Sequence, residues 1–387
     1  MSRIDDLIAE LCPDGVTFVP IGDVAECTAG ATPASGVSAY WDGGTIPWMS
    51  SGEVNKGTVH ETEKFITQAG YDSCSTRMIP AGAVAIALAG QGKTRGTVAR
   101  TRISLCTNQS LCAIVCSPRI ESDFLYYFLS TQYQQLRDVS SGEGTRGGLN
   151  LRMIREYRVP VPPVEVQREI VRILDTFTEL EAELEAELEA RRTQYEHYRG
   201  VLLASADGDG VREVALGDII RINFGARITK AQNLGTRFPV YGGGGESFRT
   251  DAFNRDDEWV VSRFAMSENC VRRVRGQFWM LDSGFTFDVL DHATDKDFVG
   301  HLLLGMQPTI FATSTQSAQK NIDVDGFKRL RVSVPSLDVQ REAVRALDAF
   351  DTLVFDLSMG LPAELASRRR QYEHYRDRLL TFRELEA

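Results

Sequence analysis

Two blocks of this chain occur twice, and that duplication limits what the rest can be. Residues 159–177 (VPVPPVEVQREIVRILDTF) return at 332–350 (VSVPSLDVQREAVRALDAF) with 12 identities in 19, at an offset of 173. Residues 191–203 (RRTQYEHYRGVLL) return at 368–380 (RRRQYEHYRDRLL) with 10 identities in 13, now at an offset of 177. The second copy therefore holds four extra residues between its blocks. A fainter match at an offset of 195 sets Asp14-Gly15-Val16 and Ile21-Gly22-Asp23-Val24 against Asp209-Gly210-Val211 and Leu216-Gly217-Asp218-Ile219. Carried backward, it sets Leu7-Ile8-Ala9 against Leu202-Leu203-Ala204, so a short N-terminal helix corresponds to the tail of a central one. One structural unit is built twice, and the circular order of the matches brings the two chain ends together.

Each unit reads as a globular segment, a Pro-rich strand exit and a long helix. The first helix is predicted to follow Pro162-Pro163, because proline is tolerated where the first helical amides are unpaired anyway. Over 165–205 it would extend about 60 Å at ~1.5 Å per residue, and Asp207-Gly208-Asp209-Gly210 ends it. Ile170, Ile173, Leu174, Phe177, Leu180, Leu184, Leu188, Tyr195, Tyr198 and Leu202 recur at an amphipathic period. The second helix repeats this with Val344, Leu347, Phe350, Val354, Leu357, Leu365, Tyr372, Tyr375 and Leu379. Its four extra residues coincide with Gly360-Leu361-Pro362, which predicts a break or kink there. The simplest partner for each apolar stripe is the other helix, antiparallel about a pseudo-two-fold axis. Leu180, Leu184, Leu188, Tyr195, Tyr198, Leu357, Leu365, Tyr372 and Tyr375 are the candidates for that pairing.

At 387 residues the chain exceeds one ordinary domain. A net charge of −10 taken as a total argues against nucleic acid, but its location matters more. Residues 159–216 carry −7, whereas 20–158 and 217–331 each carry +1 and favour arginine over lysine. The acidity therefore sits on the central helix, and the globular segments remain open to DNA. No apolar run approaches a membrane span and no signal-peptide pattern opens the chain, so the expectation is a soluble, cytoplasmic protein. Seven cysteines without a Cys-x-x-Cys pair, and five histidines away from zinc-ligand spacing, point to reduced thiols and no metal.

The globular segments show no convincing alignment with each other. Short β-type runs (82–88, Leu111–Cys116, 259–261) alternate with a helical one (123–129). Ala89-Gly90-Gln91-Gly92-Lys93-Thr94 echoes a phosphate-cradling loop, but the required earlier glycine is Ala87. What remains is a polar turn, or a loop presenting Lys93, Thr94 and Arg95 to an anion. Tyr241 precedes Gly242-Gly243-Gly244-Gly245, where Gly243 and Gly244 offer either close backbone approach or only a flexible loop. Basic and amide side chains cluster at Asn108, Gln109, Thr145 and Arg146 in the first segment. Arg263, Arg272, Arg273, Arg275, Thr315, Gln316 and Lys320 do so in the second. Arginine and lysine suit guanine edges and phosphates, and Asn and Gln suit adenine edges; taken singly, each also fits an ordinary solvated surface. Motifs for methyl transfer, ATP-driven motion, metal-dependent nuclease and hydrolase chemistry are missing. His197 and His374 sit in the repeated helix block, where packing suits them better than catalysis. The chain reads as non-catalytic.

These parts together resemble the specificity subunit of Type I restriction-modification systems. The resemblance rests on Val161-Pro162 with Gln167-Arg168-Glu169, Val334-Pro335 with Gln340-Arg341-Glu342, and the opening Val19-Pro20-Ile21-Gly22-Asp23-Val24. Gly44-Thr45-Ile46-Pro47-Trp48, Gly90-Gln91-Gly92-Lys93-Thr94-Arg95-Gly96 and Asn108-Gln109-Ser110 look like one variety of that family's target-recognition domain. The resemblance covers essentially the whole chain and implies an α+β fold. Two mixed α/β target-recognition domains would be joined by two long antiparallel coiled-coil helices with pseudo-two-fold internal symmetry. The expected division is 1–19 (N-terminal helix and lead-in), 20–158 (first recognition domain), 159–210 (central helix), 211–331 (second recognition domain) and 332–387 (distal helix). Each domain would read half of a bipartite double-stranded DNA target. The helices would set the gap and dock two modification subunits, while restriction subunits complete the complex. S-adenosylmethionine, ATP and Mg would belong to those partners. The interruption at Gly360–Pro362 is a departure that bears on the ruler. A coiled-coil adaptor with two protein-binding heads is the competing reading, since the helices alone would suffice for it.

Overall fold

Proline sets the start of both long helices. The computed structural model describes residues 3–90, 94–140, 148–204, 211–264, 269–315, 321–355 and 359–385. Lys93, Thr145, Arg146, Gln316, Lys320 and Leu357 lie outside the described residues. The central helix, Val164–Ala204, begins directly after Pro162-Pro163 and runs for 41 residues. Its duplicate is two helices, Leu337–Phe355 and Leu361–Leu379, so the expected break falls where the four extra residues lie. Pro362 is the second residue of the latter helix, a position whose missing N–H costs no helical bond. No described helix is long and apolar enough to cross a membrane.

The chain divides into two compact units, one of Met1–Glu183 with Ala366–Ala387 and one of Leu184–Leu365. The division cuts both long helices rather than falling between domains in sequence. In the first unit the head opens and closes on a two-stranded ribbon, Phe18–Pro20 against Arg158–Pro160, with Val19 opposite Val159. In the second, Arg212–Ala215 pairs Arg331–Val334, with Val214 opposite Val332. The Pro-rich exits are thus tied to the strands that lead into the same head.

The heads prove to be one fold. In the first, Ala25–Ala29 pairs Leu111–Cys116, which pairs Val84–Ala87, which pairs Val98–Thr101. In the second, Ile220–Phe224 pairs Gly284–Val289, then Arg255–Ser262, then Val271–Met280. The registers coincide: Ala25 faces Cys116 as Ile220 faces Val289, and Val84 faces Arg100 as Trp259 faces Arg273. A parallel junction recurs as well, Trp48 beside Cys106 and Val240 beside Trp279. Each sheet is covered by a helix, Ser122–Thr131 or Lys296–Gly305, which buries Phe124 or Phe298 completely. All seven cysteines are free thiols.

Helix pairing also repeats residue by residue. Within the first unit Phe177 stacks on Tyr375 (5.4 Å, 27°) and tilts against Tyr372 (6.4 Å), and Glu181 meets Arg369 at 2.6 Å. Within the second, Phe350 stacks on Tyr198 (5.6 Å, 25°) and tilts against Tyr195 (6.4 Å). Leu184 and Leu188 pack with Val354 and Leu361. Rising numbers on the central helix meet falling numbers on the distal ones in both units, so the helices run antiparallel there. Tyr195 is buried, Tyr372 is half-buried, and Leu365 is at the edge of burial. Leu180, Tyr198 and Tyr375 keep more than a third of their surface exposed. His197 and His374 are exposed and lean edge-on against the neighbouring tyrosines. The chain ends do meet: Val16 accepts from Leu385 and donates to Arg383, and Asp5 pairs with Arg378 at 2.6 Å.

Candidate nucleic-acid interface

At one end of each sheet the inter-strand connections are stitched by backbone hydrogen bonds in the same pattern. In the first head Leu88 N donates to Ser110 O (2.8 Å), Leu149 N to Leu88 O (2.9 Å) and Asn108 N to Met49 O (3.1 Å). In the second, Arg263 N donates to Ser283 O (2.8 Å), Ile322 N to Arg263 O (2.9 Å) and Leu281 N to Tyr241 O (3.0 Å). A glycine then allows the first strand's continuation to press onto this rim. A Cβ on Gly30 would lie 1.7 Å from Thr107 O, and one on Gly225 would lie 2.1 Å from Leu281 O. An indole holds the next carbonyl in place: Trp48 Nε1 to Ala31 O (3.0 Å) and Trp279 Nε1 to Ala226 O (2.8 Å). The two tryptophans come from the two neighbouring strands of the parallel junction, yet they do the same job.

Among the described residues singled out from sequence, Asn108, Gln109, Tyr241 and Arg263 belong to this rim, though not all of them face outward. Gln109 and Arg263 are exposed, and the Arg263 guanidinium lies 5.8 Å from the Phe224 ring centre. Asn108 turns inward to accept the Ser110 amide at 3.1 Å, fixing its own turn. Thr94 is half-buried against Gly90, while Arg95 is only 6% exposed. Tyr241 lies edge-on against Phe278. Gly243 and Gly244 form the two-residue turn joining Phe238–Gly242 to Gly245–Thr250, and a Cβ on Gly243 would meet Phe264 O at 2.8 Å. Arg272 donates to Gly243 O (3.3 Å) and Ser262 Oγ (3.2 Å), and burial lowers its guanidinium from the ordinary arginine value. Thr315 closes its own loop by accepting the Asn321 amide at 3.3 Å.

Arg273 belongs to a second duplicated device, which sequence reasoning missed. Its guanidinium lies 2.7 Å from Asp297, 3.4 Å from Asp257 and 3.9 Å from Asp348. Arg100 occupies the same strand position in the first head, 2.9 Å from Asp175 and 3.3 Å from Asp123. Burial opposes the charge on Arg100, but Tyr127, Asp175 and Asp123 more than offset it, raising its proton affinity. The head helix adds Tyr127, whose hydroxyl donates to Asp175 at 2.6 Å and lies 3.4 Å from Thr178. In the second unit His301 Nε2 lies 3.0 Å from Asp348, with Asp351 beside it. Strand, head helix and long helix are thereby clamped through one arginine in each unit, buried at Arg100 and half-buried at Arg273.

His301, Asp348 and Asp351 also have ligand atoms within 4.8 Å of one another, a spacing that suits a metal ion. The first unit builds the same corner from Tyr127, Asp175 and Thr178, and in both units an arginine supplies the cation. A clamp accounts for the group without a metal.

The scaffold glutamines supply a third device. Gln167 is fully buried, donates to Pro162 O (2.7 Å) and Arg119 O (3.1 Å), and accepts from Glu121 N (2.7 Å). Gln340 is fully buried too, donating to Pro335 O (2.7 Å) and Ala293 O (2.9 Å) and accepting from Asp295 N (2.7 Å). The repeated Gln-Arg-Glu motif therefore locks the start of the long helix to the N-terminus of the head helix. A buried amide that satisfies three backbone groups cannot be replaced without orphaning them.

Known proteins share this organisation. The family described as "Type I restriction modification DNA specificity domain" matches residues 13–190 and again 208–367. The chain is 25% identical over 367 residues to the Escherichia coli type I restriction enzyme EcoprrI specificity subunit, covering 87% of this chain and 88% of that protein. It is 27% identical over 195 residues to the Escherichia coli EcoR124I/EcoR124II specificity subunit, a match that spans about half of each (49% and 48%). Among solved structures it superposes on the type I restriction-modification S subunit from M. genitalium with a TM-score of 0.65 at 16% identity, covering 94% and 96% of the two chains. The HsdS subunit from Thermoanaerobacter tengcongensis gives 0.52 at 18% identity. The chain belongs to the Type I restriction modification DNA specificity domain family and carries that domain twice.

Proposed function

We propose that this chain is the DNA-specificity subunit of a type I restriction-modification complex, in which each head reads one half of a bipartite double-stranded target. The observation that carries this is the pair of equivalent rims, stitched by the same backbone bonds but furnished with different side chains. Backbone stitching fixes where a loop meets a groove, and side-chain identity selects the base edge. The long helices set the gap between half-sites, since half-site spacing follows the geometry of the scaffold. They also dock the modification subunits, of which the internal repeat fits two. Those partners bring S-adenosylmethionine and take each target adenine out of the stack; restriction subunits bring ATP and Mg. The chain's own part is recognition, in the cytoplasm where the DNA is. Slightly basic, arginine-rich heads on an acidic helix favour DNA over the protein-binding adaptor.

The test is to co-express the chain with its modification subunit in a methylation-free host and map methyladenine across the genome. A split motif with two defined halves is expected. An assembled complex that methylates nothing, or methylates without a split motif, contradicts the proposal.

A further inference from the structure

Resting on that reading, we propose that Gln109 in the first head and Asp282 in the second are equivalent specificity-determining residues. The two positions are invisible as a pair in the sequence, because one is an amide among polar residues and the other lies in Leu281-Asp282-Ser283. Strand register puts them together. Each occupies the second place of a four-residue turn closed by one backbone bond, Leu111 N to Asn108 O (3.3 Å) and Gly284 N to Leu281 O (3.2 Å). Each turn joins the strand of the parallel junction to the strand paired with the head's first strand. Both side chains are exposed, whereas their neighbours are tied down: Ser110 O and Ser283 O accept from Leu88 and Arg263, and Asn108 N and Leu281 N donate to Met49 and Tyr241. A turn fixed on both flanks, with only its tip residue presented, gives a side chain the fixed origin that base-edge readout needs.

The chemistry at the tips differs between the heads. The Gln109 carbonyl accepts from the Thr32 hydroxyl, which leaves the amide NH2 to donate from a defined orientation. An amide is the side chain that matches the acceptor and donor of adenine in the major groove. Asp282 offers acceptors only, and among the described residues no hydrogen bond or ion pair to its carboxylate is found. A carboxylate on a DNA-facing rim is repelled by phosphate unless it meets a base donor, and the donor it matches is the cytosine amino group. The residue that follows each tryptophan-held carbonyl, Thr32 or Arg227, is the neighbour on the same rim.

The experiment maps methyladenine in a methylation-free host expressing the full complex with wild-type chain, Gln109→Ala, Gln109→Glu, Asp282→Ala or Asp282→Asn. The Gln109 variants should relax or change one position of one half-site, by about tenfold or more in base preference, leaving the other half-site and the gap unchanged. The Asp282 variants should do the same in the opposite half. Variants that methylate the wild-type motif with undiminished preference at every position overturn the assignment alone. A wild-type complex without a split motif overturns the functional reading and this assignment with it. Because both residues are exposed, Gln109→Glu and Asp282→Asn keep size and fold, and unaltered thermal melting of the assembled complex verifies that.

Discussion

Tyr127 and Thr178 fill in the first unit the place that His301 and Asp351 fill in the second. Around them the architecture is the same: a strand arginine, an aspartate opening the head helix and an aspartate on the long helix. The change is paired, two neutral hydroxyls for an imidazole and a carboxylate, so each clamp remains internally matched. The rims differ in another way: Gln109 and Asp282 exchange on exposed turn tips, where the Thr32 hydroxyl is the side-chain partner of Gln109 and no hydrogen bond or ion pair to Asp282 is found among the described residues. Differences inside the clamp are thus coupled and structural, whereas the exposed turn tips carry the differences that the proposal assigns to specificity.

The largest effect should come from removing the clamp cation. Arg100→Met leaves Asp175 and Asp123 without their common partner, and Arg273→Met does the same to Asp297 and Asp348. Because the carboxylates are partly exposed, the loss should lie between that of a surface pair and a buried one, about 1–3 kcal/mol, and be larger at the more buried Arg100. Hydrogen exchange should show the loss confined to the unit that carries the substitution, and loss spread evenly through both units would break the comparison. Gln167→Leu and Gln340→Leu should each cost about 2 kcal/mol, since each orphans backbone groups beside the head helix. Chemical denaturation should find the two costs similar, and a large inequality would mean that the repeat is geometric only.

A smaller effect depends on pH. Burial, the nearby Asp348 and their opponents His301 and Tyr195 leave the Asp351 carboxyl above its ordinary value. A carboxyl raised on folding contributes stability that is fully present below its unfolded value and is lost as pH rises through the folded one. The double variant His301→Tyr with Asp351→Thr copies the first unit into the second and should remove that dependence. Melting curves of the second unit across the acidic range should therefore diverge from wild type as pH rises, and parallel curves would contradict the account. Smallest of all, Gln109→Ala should change stability by less than about 0.5 kcal/mol, as thermal unfolding would show, even as it changes the base that is read.

The scaffold was legible in the sequence because its residues act locally or recur. Pro162-Pro163 and Gly360–Pro362 mark helix boundaries through backbone chemistry, and Phe177, Tyr195, Phe350 and Tyr372 recur because both units need the same packing. The identity of the heads was not legible. Sheet registers tolerate any side chain that fits a buried face, so Val84 and Trp259, or Cys106 and Trp279, share a place without sharing chemistry. The clamp escaped for a related reason: Arg100, Asp123 and Asp175 are far apart in sequence and ordinary one by one. An offset of 173 linking Arg100 to Arg273, and Asp175 to Asp348, was the signal available. It is the offset of the helix block itself, carried back into the heads. Arg273 and Arg95 also show why basic residues alone mislead, since one holds carboxylates and the other is buried.

The most direct test of two independent readers on one scaffold is a chimera in which residues 22–158 come from another member of the family. Methyladenine would be mapped for the chimera and the wild-type complex in the same methylation-free host. One half of the split motif should change, with the other half and the gap intact. A change in both halves, or in the gap, would contradict it.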